Sequence, residues 1–342
     1  MDTNLGKILK ERYKIKEKKS TGGMSNIYLA EDLVLNRHVI LKILYKNLFN
    51  NKKNEDIFIN EIKITAKLKH KNIVKLFDYF IFDGHLCLVL EQIEGKNLRI
   101  LLNTKKTLGE NQTINIVLQI LDALVLAERN KIVHRDIKPE NILIIQNKKV
   151  KILDFGVSVD KHFPSDIFKS KIIGSIKYIS PEIIANQEVN AQSDLYSLGI
   201  MMFEMLVGQA PFIAKNYVLL IKKHLYEEVP RIKNYEPKIS QQMENIIIKA
   251  TAKNLDERYN KAETMIQDLK KCLEEETKNL KPLFLKEKVF KKEIINPVFK
   301  QQFKKETNFF WLNKKKLIAF IFVEWIIFII LIIKLIINWW KN

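Results

Sequence analysis

Charged and hydrogen-bonding side chains crowd into a few short segments of this 342-residue chain. The densest is the run His134, Arg135, Asp136, Ile137, Lys138, Pro139, Glu140, Asn141. Asp154, Phe155 and Gly156 follow it, and far upstream Lys42 closes the apolar run Val39, Ile40, Leu41. Carboxylate and amide oxygens are the ligands that hard divalent cations take. Lysine ammonium groups meet phosphate oxygens as compact point charges. These segments hold both types. Around Gly22 and Gly23 lies a turn of small residues, where a backbone can approach an anion closely. The two cysteines, Cys87 and Cys272, sit in unrelated surroundings without metal-ligand spacing. A reduced protein without thiolate metal chemistry is therefore expected.

The elements that must position these groups change character along the chain. Residues 13 to about 91 read as short strands with one helix. Residues 27–30 and 38–44 are β-rich, with turn-like residues 32–37 between them. Residues 56–68 carry Ile57, Ile59, Ile62, Ile64 and Leu68 among charges, a helical pattern. Strands return at 73–82 and 85–91. From about residue 97 the period is mostly helical. Residues 113–129 place Ile114, Val117, Leu118, Leu121, Leu124 and Val125 on one face. Further helices are expected at 193–207, 215–226, 240–252 and 260–276. The expected class is α+β, a small β-rich lobe followed by a larger helical one.

The net charge of +19 directs attention to anionic partners. It is almost all lysine, whereas bidentate readout of bases and phosphates favours arginine, so no nucleic acid is expected. No signal peptide is expected, because residues 1–19 are charged and lack an apolar core. After Cys272 a lysine-rich stretch with scattered phenylalanines reads as a basic juxtamembrane linker, 273–316. The apolar run 317–337, interrupted by Glu324 and Lys334, follows Lys314, Lys315 and Lys316 and precedes Trp339 and Trp340. A run of about 20 apolar residues matches a hydrocarbon core about 30 Å thick, so a transmembrane helix is expected. The lysines place its amino-terminal side in the cytoplasm and leave 338–342 as a short tail outside the cell membrane.

In order and spacing, His134 to Asn141, Asp154 to Gly156, and Ser180, Pro181, Glu182 resemble the catalytic loop, the metal-binding motif and the end of the activation segment of eukaryotic-type protein kinases. The resemblance covers about residues 13–272. Gly22, Gly23, Met24 and Ser25 ahead of a short strand are similar to the bacterial receptor-type serine/threonine kinases of the PASTA-linked group. The resemblance implies a bilobal kinase fold, with an extension at 1–12, an N-lobe at 13–91 and a C-lobe at 92–272. It implies ATP with Mg2+ or Mn2+ as cofactors and proteins as substrates. Phosphoryl transfer asks little covalent work of a protein, so positioning and charge neutralisation dominate.

By that resemblance Asp136 accepts or orients the proton of the substrate hydroxyl, and Lys138 steadies the γ-phosphate. Asn141 and Asp154 hold the metal. Lys42 grips the α- and β-phosphates and pairs with Glu61. Ser20, Thr21, Gly22, Gly23, Met24, Ser25 and Ile27 form the phosphate loop. Ile40, Leu90 and Leu143 line the nucleotide site, with Leu90 as gatekeeper, and Glu91 and Ile93 offer backbone hydrogen bonds to adenine. Lys138, two residues after Asp136, resembles the serine/threonine-specific branch. Phe155, Gly156, Ser175, Glu182, Asp194 and Arg258 fall at structural positions. Asp194 anchors the catalytic-loop backbone, and Arg258 pairs with Glu182.

Two departures from the family pattern concern ATP binding. Ser20 replaces the first glycine of the phosphate loop, and Ile40 stands where a small residue lies over adenine. They support an alternative, a membrane-tethered pseudokinase or scaffold with weak or no phosphotransfer. The retained Lys42, Glu61, Asp136, Asn141 and Asp154 favour an enzyme. Arg135 implies control by an activation-segment phosphate. Residues 157–182 contain no threonine, which leaves Ser170, then Ser165, as expected autophosphorylation sites. Glu324 inside the span invites a partner span, hence a homodimer for trans-autophosphorylation. The related kinases carry extracellular repeats, for which 338–342 has no room. Regulation is thus expected from the cytoplasm, the membrane or a partner, with the basic linker against membrane lipid.

Overall fold

A six-stranded antiparallel sheet forms the first lobe of the computed structural model, which describes residues 4–22, 25–46, 56, 59, 62–63, 66–155, 176–185, 187–273 and 280–286. These lie in one unit, 1–292, while the whole of a second unit, 293–342, falls outside the described residues. The strands are β1 (Ile8–Leu9), β2 (Tyr13–Thr21), β3 (Ser25–Asp32), β4 (Arg37–Leu44), β5 (Leu76–Phe82) and β6 (His85–Glu91), in the spatial order β1-β2-β3-β4-β6-β5. Strand side chains alternate between faces. Tyr28, Ala30, Val39, Leu41, Cys87 and Val89 accordingly pack into one apolar cluster with Leu9, Tyr13 and Ile15. Ile27, Leu29, Ile40 and Leu90 stay half-buried.

Within the extension expected at 1–12, β1 pairs with β2, Gly6 donates its amide to Ile15 O (3.0 Å), and Leu9 is 1% exposed, so Ile8 and Leu9 join the sheet. A two-residue strand is too short to show any period. Of the helix expected at 56–68, the described residues Asp56, Ile59, Ile62 and Lys63 are helical, and Ala66 and Lys67 lie in a turn.

The second lobe is helical, with α1 (Leu98–Lys105), α2 (Glu110–Arg129), α3 (Pro181–Ile184), α4 (Ala191–Val207), α5 (Tyr217–Tyr226), α6 (Gln241–Ala250) and α7 (Ala262–Lys271). Of these, α4 is buried on every side from Ser193 to Leu206, as expected of a helix at the centre of a core. Close packing explains Gly199: a Cβ there would come within 2.9 Å of Ala250 Cβ and 2.8 Å of Thr251 Cγ2. Gly208, at φ +86°, ends the helix in the left-handed region that favours glycine.

One feature departs from the expected layout. The helical lobe carries a small antiparallel sheet of β7 (Lys96–Asn97), β8 (Ile142–Ile144) and β9 (Val150–Ile152), whose strands are too short to repeat a pattern. Part of the linker expected at 273–316 is described. Residues 280–286 lie on the C-lobe, where Asn245 Nδ2 donates to Lys281 O (2.9 Å) and its Oδ1 accepts from Leu283 N (2.8 Å). Lys286 N donates to Glu257 Oε1 at 2.7 Å. Among the described residues no helix is long and apolar enough to cross a membrane, and 317–337 lies outside them.

Candidate active site

The run from His134 to Asn141 folds as a loop that closes in a short 3-10 turn, Pro139–Asn141. Arg135 sits at φ +64°, a conformation costly for a residue with a Cβ, so the surroundings must impose it. Asp194 in the first turn of α4 does so. Its two oxygens accept the His134 amide (2.7 Å) and the Arg135 amide (2.8 Å). Burial pushes the Asp194 carboxyl above its ordinary range, while His134 and the two amides pull it down. The His134 ring is fully buried, with Nε2 2.8 Å from Leu153 O, and it meets Phe155 edge-on at 4.6 Å between centroids. The loop is thereby tied to the segment that carries Asp154.

On this base the Asp136 carboxylate is held from two sides. Lys138 Nζ lies 2.9 Å from Oδ1 and 2.8 Å from Oδ2. Asn141 Nδ2 donates to Oδ2 at 2.9 Å and to the Asp136 carbonyl at 2.8 Å. Because its nitrogen is committed to Asp136, Asn141 is left with Oδ1 as its metal-facing atom. Lys42 reaches across from β4, opposite Ile27 and Leu88 in the sheet, and its Nζ lies 2.6 Å from Asp154 Oδ1. Lys42 is 8% exposed, a buried cation that needs such a carboxylate.

This donor set fits a hard cation of the Mg2+ kind. Mg2+ is usually held by one or two protein carboxylates together with phosphate oxygens. Asp154 and Asn141 offer such a set, and among the described residues no group of three or more His, Cys, Asp or Glu forms a complete protein cage.

The sheet register brings the expected nucleotide-site residues together. Ile40 lies opposite Leu90 and Leu29, Ile27 opposite Ser20, and Thr21 opposite Asn26. Gly22 N donates to Ser25 O at 2.8 Å and closes the hairpin. Leu143 pairs with Asn97 and Lys151 in the small sheet. Glu91 turns its side chain away from this face, onto Lys151 Nζ (2.8 Å) and the Lys75 amide (3.2 Å). Ile93 follows it, half-buried. Gly23, Met24, Glu61, Gly156, Ser165, Ser170 and Ser175 lie outside the described residues.

Beneath the site Glu182 and Arg258 form a buried ion pair at 2.8 Å, their side chains 2% and 0% exposed. Ser193 Oγ donates to the same carboxylate at 2.6 Å. Desolvation pushes the Glu182 carboxyl up, but Arg258 and Ser193 outweigh it and hold the group below its ordinary range.

Sequence reasoning missed a second polar hub beside the catalytic loop. Arg99 of α1 donates from Nε to Glu140 Oε1 (2.8 Å) and from Nη1 to Glu204 Oε1 (2.8 Å), and the Tyr178 hydroxyl bonds both Arg99 and Glu204. One signal was present. Glu204 interrupts an otherwise apolar helical run, and a carboxylate in such a place needs a cation. Nothing in the sequence said which cation.

A family model described as "Protein kinase domain" matches residues 13–278. The chain is 37% identical over 283 residues to the serine/threonine-protein kinase PrkC of Bacillus subtilis (strain 168), covering 83% of this chain and 44% of that protein. It is 33% identical over 267 residues to the serine/threonine-protein kinase PknB of Mycolicibacterium smegmatis, covering 76% of this chain and 43% of that one. It thus spans less than half the length of these two relatives. Among solved structures, the kinase domain of Mycobacterium tuberculosis PknI superposes with a TM-score of 0.64 at 19% identity, over 80% of this chain and 100% of that one. That likeness speaks for the bilobal fold.

Proposed function

This chain belongs to the protein kinase domain family, and from that premise we propose that it transfers the γ-phosphoryl group of ATP to serine or threonine hydroxyls of proteins, itself included. The observation that carries this reading is the Asp136 carboxylate, held between Lys138 and Asn141 beside the Lys42–Asp154 pair. Asp136 orients the incoming hydroxyl and takes its proton as the new O–P bond forms. The bond from the γ-phosphorus to the bridging oxygen breaks, and ADP leaves. Lys138 neutralises charge on the transferred group, and Lys42 does so on the phosphates that remain with ADP. Bound at Asp154 and Asn141, Mg2+ or Mn2+ would supply further neutralisation of phosphate charge.

Lys138 supports serine/threonine specificity, as do the names of the relatives. The convergence of Lys42, Asp136, Asn141 and Asp154 supports an enzyme over a pseudokinase, in spite of Ile40 and Ser20. Incubation of the full chain with γ-labelled ATP and Mg2+ tests the reading. Label should appear on serine or threonine and vanish in Asp136→Asn. Label that survives in that variant would sink the assignment, and nucleotide binding without transfer would favour the pseudokinase.

The remaining parts of the reading rest on the sequence. Residues 317–337 anchor the protein as a single-pass membrane protein with its kinase domain in the cytoplasm and 338–342 outside, and the basic linker lies on anionic lipid. The support is the apolar run between a lysine triplet and a tryptophan pair. Retention in carbonate-washed membranes, lost on removal of 314–342, checks it; release of the intact chain into the supernatant would reject it. Ser170 leads Ser165 as the autophosphorylation site, which phosphopeptide mapping decides. Equal crosslinked-dimer yields from wild type and Glu324→Leu would remove the homodimer through the span.

A further inference from the structure

A cavity of about 1030 Å3 has a lining that includes none of Lys42, Asp136, Lys138, Asn141 and Asp154. Both lobes build it: the segment 66–72, the start of β5, Gln119 of α2, the turn 145–149 and Lys151 of β9. Its size lies at the upper end of small-molecule sites.

Three features of its wall point to one chemistry. Among the described residues, Lys69, Lys71, Lys75, Lys149 and Lys151 line it and no carboxylate does. Of the described acids, Asp122 engages Lys71 at 3.0 Å and Glu91 engages Lys151 at 2.8 Å. Leu68, Leu76 and Phe77 supply an apolar side. The third feature is Asn72, itself only 3% exposed. Its Nδ2 donates to Val150 O (2.7 Å) and Gln119 Oε1 (3.1 Å), but its Oδ1 is buried without any hydrogen-bond partner. A buried acceptor left unpaired costs about 1–3 kcal/mol, and a ligand bearing a donor would relieve it.

We infer that this cavity binds a phosphate ester that carries an apolar body and a hydroxyl or amino donor, a chemistry shared by anionic phospholipid headgroups and soluble organic phosphates. The lysines meet the phosphate as point charges. Leu68, Leu76 and Phe77 cover the apolar part, and Asn72 Oδ1 accepts from the donor. The site is separate from the residues proposed for phosphoryl transfer.

Calorimetric titration of the full chain in neutral detergent tests this with four probes: dihexanoyl-phosphatidylglycerol, glycerol 3-phosphate, inorganic phosphate and dihexanoyl-phosphatidylcholine. Phosphatidylglycerol has net charge and hydroxyl donors and should bind, whereas phosphatidylcholine has neither and should not. Lys71→Glu with Lys149→Glu, both on the rim, should weaken binding about tenfold or more. The remote pair Lys105→Glu with Lys106→Glu should leave it unchanged. Glycerol 3-phosphate has no apolar body, so its equal binding overturns the inference, whereas tighter binding of the lipid upholds it. The inference fails if no anionic probe binds, if inorganic phosphate matches every ester, if phosphatidylcholine binds as tightly, or if the remote pair weakens binding as much as the rim pair. Asn72 holds Val150 and Gln119 in place, so its replacement risks misfolding and the rim lysines carry the test.

Discussion

The two lobes hold their functional charges in different ways. In the helical lobe the charges beneath the site, Asp194 and Glu182, are buried and each is held by several bonds. Asp194 accepts two backbone amides, and Glu182 is held by Arg258 and Ser193 together. In the sheet lobe Lys42 is paired, among the described residues, with Asp154, whose side chain is 32% exposed. The phosphate-loop hairpin shows a backbone bond from Gly22 to Ser25 and a bond from the Tyr45 hydroxyl to Gly22 O. The lesson concerns preorganisation. The loop that carries Asp136 is built into the core and its geometry does not wait for a ligand. Among the described residues, the bonds around Lys42 and the Gly22 hairpin are more exposed, and under the proposed function a bound nucleotide adds to them.

This contrast can be broken from either side, and the effects on stability should fall in a definite order. Arg258→Met leaves the buried Glu182 without its cation, and should destabilise the chain by roughly 3–5 kcal/mol in denaturant titration. A loss under 1 kcal/mol would mean that the helical lobe tolerates the change as a surface would. Asp194→Asn keeps the shape but offers one acceptor where two amides need partners, so a cost of about 1–3 kcal/mol is expected. Its transfer rate should drop as well, because Arg135 would no longer be held at φ +64°.

A third test uses pH. Lys253 is enclosed near Tyr196 and Phe212, with Nζ 3.0 Å from the Tyr196 hydroxyl. Burial, aided by Arg258, lowers its pKa from an ordinary 10.5 to about 7. The unfolded chain therefore binds a proton that the folded chain releases across this window. Stability should rise from about pH 7 to 10.5, by up to about 1.4 kcal/mol per pH unit from this group alone. Lys253→Met should remove that slope, and an unchanged slope in the variant would refute the assignment. The smallest effect on stability belongs to the sheet lobe. Lys42→Met should alter stability by no more than about 1 kcal/mol while abolishing most transfer, since its partner remains partly solvated. A larger loss would show that the two lobes are held alike.

Much of the site was legible before any coordinates. Asp136, Asn141 and Asp154 lie in the short contiguous motifs that carry the resemblance to protein kinases, so they could be named from that resemblance. The long helices were equally plain, because 113–129 runs through several turns of one apolar face. What stayed hidden was short or remote. β1, β7, β8 and β9 have two or three residues each and leave no period to read. Arg99 is 105 positions from Glu204, and no local pattern could pair them. The docking of 280–286 rests on Asn245, Arg231 and Glu257, three side chains far in sequence from a stretch whose composition resembles a linker.

The sequence by itself determined the chemistry available to this protein: which carboxylates, amides and lysines exist, and the helical and strand periods that carry them. Tertiary structure alone decided how they meet. It set Lys42 against Asp154, stood Lys138 and Asn141 on either side of Asp136, and left Asn72 Oδ1 unpaired beside five lysines. The physical reason is range. Periodicity and turn chemistry act over a few residues, whereas a buried charge finds its partner only when distant segments close together and exclude the water that would otherwise serve it.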